Sequence, residues 1–137
     1  MSRPPDGAAA PFPQTLALAC GPVGAVDLAL FAAASGDHNP LHLDAEVARS
    51  AGFERPVVHG MLTMAYAARL FTQSFGAARV RSLQTRFVGV ALLGDTIDLE
   101  ATLQRTEAGD AHYALRAYTT AGTELAAGTA QVAAAMP

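Results

Sequence analysis

The sequence predicts an α+β domain in which an antiparallel β-sheet wraps one long central helix. Three observations carry that expectation. Residues 60–73 are apolar nearly all round, as a helix buried on most of its faces must be. After Gly76 the apolar period changes to strict alternation, clearest where Ile97, Leu99, Ala101 and Leu103 interleave with Asp98, Glu100, Thr102 and Gln104. Turn signals at Gly94-Asp95, Gly109-Asp110 and Ala121-Gly122 separate the alternating segments. Helices first and short strands joined by tight turns afterwards is the α+β order.

Each element has its own reason. Residues 1–13 hold four of the eight prolines and read as a flexible arm, leaving 14–137 as the domain. Thr15 to Cys20 is a short apolar segment suited to a first strand, broken by Gly21-Pro22. Val26 to Ala34 is rich in helix formers and predicts a short buried helix, with Gly36 placed as its C-cap. Pro40 forbids a continuous helix through the next stretch. Asp44 is an N-cap for a brief helix through Ser50, ending near Gly52. Gly60 to Gln73 is the central helix, with Thr63, Tyr66 and Arg69 as a narrow polar stripe that is either hydrogen-bonded core or a face toward a partner subunit. Strands around Leu83–Phe87, Ile97–Gln104, Tyr113–Thr119 and Leu125–Val132 then form an antiparallel meander.

Composition bounds the function. A chain of 137 residues, 51% hydrophobic and 15% charged, makes one globular domain with a real core and apolar surface to spare for a subunit interface. All nine basic residues are arginine, which excludes Schiff-base and P-loop lysine chemistry. A net charge of −3 and no basic run exclude a nucleic-acid footprint. Cys20 is the sole cysteine, so neither a disulfide framework nor a cysteine metal site is expected. No signal-peptide core or membrane-length apolar run occurs, and a cytoplasmic location with no membrane partner is the expectation.

The chemistry gathers in residues 35–44, Ser-Gly-Asp-His-Asn-Pro-Leu-His-Leu-Asp. Asp37 and His42 on one short segment can hold a water between carboxylate and imidazole and share proton transfer. Asn39 can hold that water or orient a neighbour. The same residues are ordinary turn formers, so the spacing alone leaves an Asx-turn reading open. His38 and His42, with Asp37 and Asp44 beside them, superficially resemble metal ligands, but Pro40 denies them a common helical face. Further along, His59-Gly60-Met61-Leu62 opens the central helix. There the Gly60 N–H has no intrahelical partner and sits at the positive dipole end, a candidate oxyanion donor. Close helix packing is the alternative reason for that glycine. His59 reads as a structural residue that fixes the helix entry, with an acid/base role as the alternative. No nucleophile elbow, dinucleotide fingerprint or Walker pattern is present.

Asp37-His38-Asn39-Pro40-Leu41-His42 and His59-Gly60-Met61-Leu62, in this order and spacing, resemble the MaoC-like dehydratase family, which includes the (R)-specific enoyl-CoA hydratases. The likeness extends over about residues 14–134 and implies a single hot dog domain. It implies that Asp37 and His42 are the catalytic pair, that Asn39 supports them, and that the Gly60 N–H binds the thioester oxygen. His38 holds a variable place and receives no role. The implied reaction is reversible syn hydration of a trans-2-enoyl thioester to the (3R)-3-hydroxyacyl thioester, with no metal or bound cofactor. Coenzyme A or acyl carrier protein is the thioester carrier. His59 and Met61 beside the oxyanion donor, and Met64, Leu70 and Phe71 along the helix, are the candidates for contact with substrate. Two subunits are expected to pair edge to edge around the acyl tunnel, as a homodimer or a heterodimer. A hot dog thioesterase, or a thioester-binding subunit without turnover of its own, are the alternatives.

Overall fold

The computed structural model describes residues 12–135. Its strands are β1 (Thr15–Cys20), β2 (Val80–Phe87), β3 (Ile97–Glu107), β4 (Asp110–Thr119) and β5 (Glu124–Val132). Its α-helices are α1 (Ala25–Ser35), α2 (Ala45–Ser50) and α3 (Gly60–Phe75), with single 3-10 turns at Pro40–His42 and Ala77–Arg79. For residues 1–11 the expected arm lies outside the described residues. Phe12 packs against Phe75 with ring centroids 5.9 Å apart, and the Tyr113 hydroxyl donates to the Pro13 carbonyl at 2.7 Å.

All five strands form one antiparallel sheet in the order β1-β3-β4-β5-β2. The expected alternation holds where it was clearest: Ile97, Leu99 and Ala101 are buried, and so are Tyr113, Leu115 and Ala117 on β4. The β3–β4 turn places Ala108 and Gly109 both at positive φ, 52° and 86°, the backbone of a two-residue hairpin loop that follows the sheet's twist. Gly128 of β5 faces Thr85 of β2, and a side chain there would run into the Gln84 carbonyl, so glycine is what lets these strands approach.

Three expectations need correction. The meander comprises β3, β4 and β5 only, because β2 pairs with β5 and not with β3. The 88–96 connection is the cause: it runs beneath the end of the sheet, held by Val58 N–H to Ala91 O (2.8 Å) and Leu93 N–H to Pro56 O (2.8 Å), and delivers β3 beside β1. The α1 helix is not buried all round. Only Leu28 and Ala32 are covered, while Val26 and Leu30 are 70% and 65% exposed, since α1 lies outside the sheet and touches the domain along one edge. On α3 the apolar residues outside the stripe are less covered than expected, while Thr63 and Tyr66 of the stripe fall in the core, one of its two expected readings. Thr63 and Tyr66 are buried with Leu62, Ala67, Leu70 and Phe71, and the open face runs through Met61, Ala65 and Arg69. A threonine methyl and a tyrosine ring supply enough apolar surface to be drawn inward, and alanine loses little by staying outside.

The shape that results is a sheet curled around α3, with Phe71 edge-on to Tyr113 at 5.7 Å in the middle of the core. The segment between β1 and α3 crosses the end of this barrel-like body and carries the polar residues of interest.

Candidate active site

Local backbone chemistry builds the 35–44 segment. Gly36 at φ 78° ends α1 in the left-handed conformation, with its N–H returned to the Ala32 carbonyl. Asp37 Oδ1 accepts from Asn39 N–H (3.3 Å), and Asn39 Oδ1 accepts from Leu41 N–H (3.0 Å), so two successive Asx turns set up the 3-10 turn. Pro40 is its first residue. Asp44 then caps α2 through Glu46 N–H (2.8 Å) and Val47 N–H (3.3 Å). Asp37 and Asn39 therefore make the turn with one side-chain oxygen each, which leaves Asp37 Oδ2 outside the turn bonding. Asn39 spends its carbonyl oxygen on the turn, leaving its amide N–H2 as the part free to meet a ligand.

The turn delivers His42 to Val57. The Val57 N–H donates to Leu41 O (3.1 Å), and the His42 Nδ1–H donates to Val57 O at 2.6 Å. That bond fixes the proton of neutral His42 on Nδ1 and leaves the Nε2 lone pair facing outward. Asp37 Oδ2 stands 3.5 Å from this Nε2. The His42 side chain is only 11% exposed while that of Asp37 is 52% exposed, so the carboxylate opens the pair to solvent.

Behind the pair lies His59, 1% exposed. Its ring stacks on that of His42, centroids 3.7 Å apart and planes 20° from parallel, and Phe31 of α1 meets it edge-on at 4.9 Å. The His59 Nε2–H donates to the Asp37 backbone carbonyl at 3.2 Å, while Nδ1 is buried and has no partner among the described residues. Burial holds the His59 imidazole below its ordinary value of 6.5, and the Asp37 carbonyl acceptor pulls the other way with less effect. His59 is also the N-cap residue of α3, so Gly60 N–H is the next donor along the chain. A β-carbon at Gly60 would lie 3.5 Å from the Phe87 ring, an ordinary contact, so packing does not demand glycine there.

A metal ion finds a poor site here. Asp37, His42 and His59 place ligand atoms within 4.8 Å of one another. The two stacked rings, however, direct their in-plane lone pairs side by side instead of toward one point. His59 also uses Nε2 as a donor, so that atom offers no lone pair. His38 takes no part in this cluster.

The sequence-derived residues thus divide. Asp37, His42 and His59 come together, with Asn39 building their turn and Gly60 following His59 in the chain. Met61 is 57% exposed and Met64 half-buried on the open face of α3. Leu70 and Phe71 sit in the core, away from the pair. The sequence reading missed the apolar wall beside His42, a cavity of about 480 Å³ lined by Leu28, Ala29, Leu43, Pro56 and Leu93. Leu43 was signalled by its place next to His42. Leu93 carried no signal, because only the 88–96 crossing brings it there.

Residues 8–124 match the family model described as MaoC like domain. An (R)-specific enoyl-CoA hydratase of Aeromonas caviae is 37% identical over 113 residues, covering 80% of this chain and 84% of the relative. The solved structure of an (R)-hydratase from A. caviae superposes with a TM-score of 0.81 at 32% identity, covering 88% and 94% of the two chains. That of R-hydratase PhaJ1 from Pseudomonas aeruginosa gives 0.83 at 28% identity, covering 90% and 81%. Other relatives are much longer: the chain spans 9% of the mouse peroxisomal multifunctional enzyme type 2 and 25% of a probable enoyl-CoA hydratase 2 of Dictyostelium discoideum. With the motif pair assembled at one end of a curled sheet and most of its length matched, the chain belongs to the MaoC-like domain family, in its hot dog fold.

Proposed function

We propose that this protein is an (R)-specific enoyl-thioester hydratase, acting reversibly as a (3R)-3-hydroxyacyl-thioester dehydratase on coenzyme A or acyl-carrier-protein substrates. The observation that carries the reading is the Asp37–His42 pair. Its two facing atoms are 3.5 Å apart, and the second nitrogen of His42 is tied to Val57 O, so the pair presents two proton acceptors to one small space. A water there donates one hydrogen toward His42 Nε2 and the other toward Asp37 Oδ2. As its oxygen adds to the β-carbon, one proton passes to the pair, the C=C electrons move into the thioester as an enolate, and the pair returns a proton to the α-carbon. Water and proton come from one side of the substrate, which makes the addition syn.

The enolate oxygen is received by the Gly60 N–H at the start of the 16-residue α3, where the unpaired amides and helix dipole favour negative charge. The apolar cavity beside His42 takes the uncharged part of the thioester. No step of this scheme calls on a metal or organic cofactor.

Two copies of the chain are proposed to pair along β2, the free edge next to the site. Phe87, Val88 and Val90 are 43%, 52% and 45% exposed there, and Phe87 reaches over Gly60.

The test is to mix purified protein with crotonyl-CoA and follow enoyl-thioester absorbance, product configuration and free thiol. Loss of absorbance with (3R)-3-hydroxybutyryl-CoA and no thiol is the expected result. Thiol release would instead identify a thioesterase, and coenzyme A binding without turnover on any chain length or carrier would identify a binding subunit.

A further inference from the structure

His59 is buried, titratable and left idle by the scheme above, yet it touches both halves of the catalytic pair. We propose that His59 is a positioning residue: a permanently neutral imidazole, in the Nε2–H tautomer, that locks the Asp37 backbone and the His42 ring to the N-terminus of α3. The inference rests on the hydratase reading for its kinetic consequence, though not for the tautomer itself.

The geometry assigns the tautomer. Nε2 lies 3.2 Å from a backbone carbonyl oxygen, which can only accept, so the hydrogen is on Nε2. Nδ1 is buried with no partner among the described residues. A second proton would have to be placed on Nδ1, creating a buried cationic N–H that faces no acceptor. The titratable groups acting on His59 are Asp37 and His42 from the site segment, and α1 contributes only the Phe31 ring. Burial disfavours charge on His59, and charge on His42 would disfavour it further.

Three parts of the reaction meet at this one side chain. Its donor holds the carbonyl of Asp37, its face limits rotation of His42 about the Val57 bond, and its own backbone leads directly into Gly60 N–H. A shift of His59 therefore moves acid/base pair and oxyanion donor relative to each other, which is where small displacements cost most.

The first experiment uses the uniformly ¹⁵N-labelled full chain without substrate, recording long-range ¹H–¹⁵N correlations of the histidine rings from about pH 8 to about pH 5. His59 should show a protonated Nε2 and a bare Nδ1 throughout this range. A His59 that titrates over this range, or that carries its proton on Nδ1, overturns the proposal even if the enzyme is an active hydratase. A wild type that hydrates nothing would sink the hydratase reading and leave the tautomer assignment standing.

The second experiment compares His59→Phe, which keeps a flat ring between Phe31 and His42, with His59→Gln, which keeps a donor the same number of bonds from the backbone. His59→Phe should lose about 10²-fold in kcat with KM little changed. His59→Gln should recover part of that loss. Folding is checked by near-UV circular dichroism. Full kcat in folded His59→Phe, or equal losses in both variants, rules out the hydrogen bond to Asp37 as the working contact.

Discussion

Asp37 and His42 are replaceable by side chains of nearly the same shape that cannot exchange protons, and this makes the residue scale the sharpest place to test the site. Asp37→Asn and His42→Gln should each lower hydration by about two to four orders of magnitude, the range for a lost acid/base group, as measured with crotonyl-CoA at saturation. Asp37 is half-exposed, so Asp37→Asn should change thermal stability little, whereas the glutamine amide nitrogen lies one bond further out than Nδ1 and His42→Gln should lose some stability with the Val57 O bond while staying folded. Near wild-type turnover in either variant would remove that residue from the chemistry. Gly60→Ala separates function from packing in a different way. The added methyl meets only the Phe87 ring at ordinary contact distance, and alanine is a better helix former than glycine. The variant keeps its N–H and should keep or slightly raise its melting temperature, so its loss of kcat would report a methyl that obstructs substrate or disturbs the donor, whereas a glycine needed for packing alone would give the reverse. Asp37, Asn39 and His42 stood out in the sequence because they share one short segment and resemble a family motif, while spacing alone left open the turn that Asp37 and Asn39 do make. His59 was legible only as a helix-start residue. Its stacking on His42 depends on Val57 and Phe31, which no local pattern connects to it.

At the scale of elements, backbone rules were read well and partner choice was not. β1, α1, α2 and α3 fall within a residue or two of their expected bounds, because Gly36, Asp44 and Gly60 are physical punctuation. Sheet order escaped, since alternation in Leu83–Phe87 says that a strand exists and nothing about which neighbour it takes. The β3–β4 hairpin offers two checks. Ala108 holds φ 52°, a conformation that asparagine tolerates better, so Ala108→Asn should raise the unfolding free energy by roughly 0.5–1 kcal/mol in urea titrations. Next to it, Asp110 accepts from Gln131 Nε2 (2.9 Å), from Ala134 N–H (3.4 Å) and from Arg81 Nε (2.9 Å). Gln131 foremost, then Ala134 and Arg81, hold its carboxyl below the ordinary value of 3.8, against a smaller opposing effect of burial. The folded state thus favours the ionised form. The stabilisation is complete above the unfolded-state value of 3.8 and is lost as pH falls through the lower folded-state value. The melting-temperature gap between wild type and Asp110→Asn should therefore be constant near neutrality and close in that acidic window.

For the molecule as a whole, what a single chain leaves uncovered is the remaining information. The hydrophobic fraction of 51% leads one to expect apolar surface beyond one core, and the structure leaves it exposed at Val26, Leu30, Leu43 and Val47 along the α1–α2 segment and at Met61, Phe87, Val88 and Val90 beside the β2 edge. The second group is continuous with Gly60, because Phe87 lies against the position where a Gly60 side chain would be. An edge strand with open backbone groups and an apolar margin is covered most economically by its own copy in antiparallel register. Val88→Asp places a charge in the middle of that margin, while the Val88 N–H can keep its bond to Leu125 O at 2.8 Å within the same chain. Light scattering should then show a dimer for the wild type and a monomer for Val88→Asp, with circular dichroism unchanged. Activity decides what the pairing is for. If the partner walls the acyl site, kcat/KM should fall with dissociation and recover as protein concentration drives reassociation. A folded monomer with full activity would mean that Asp37, His42 and Gly60 form a complete site in one chain, and that the exposed margin of β2 serves assembly alone.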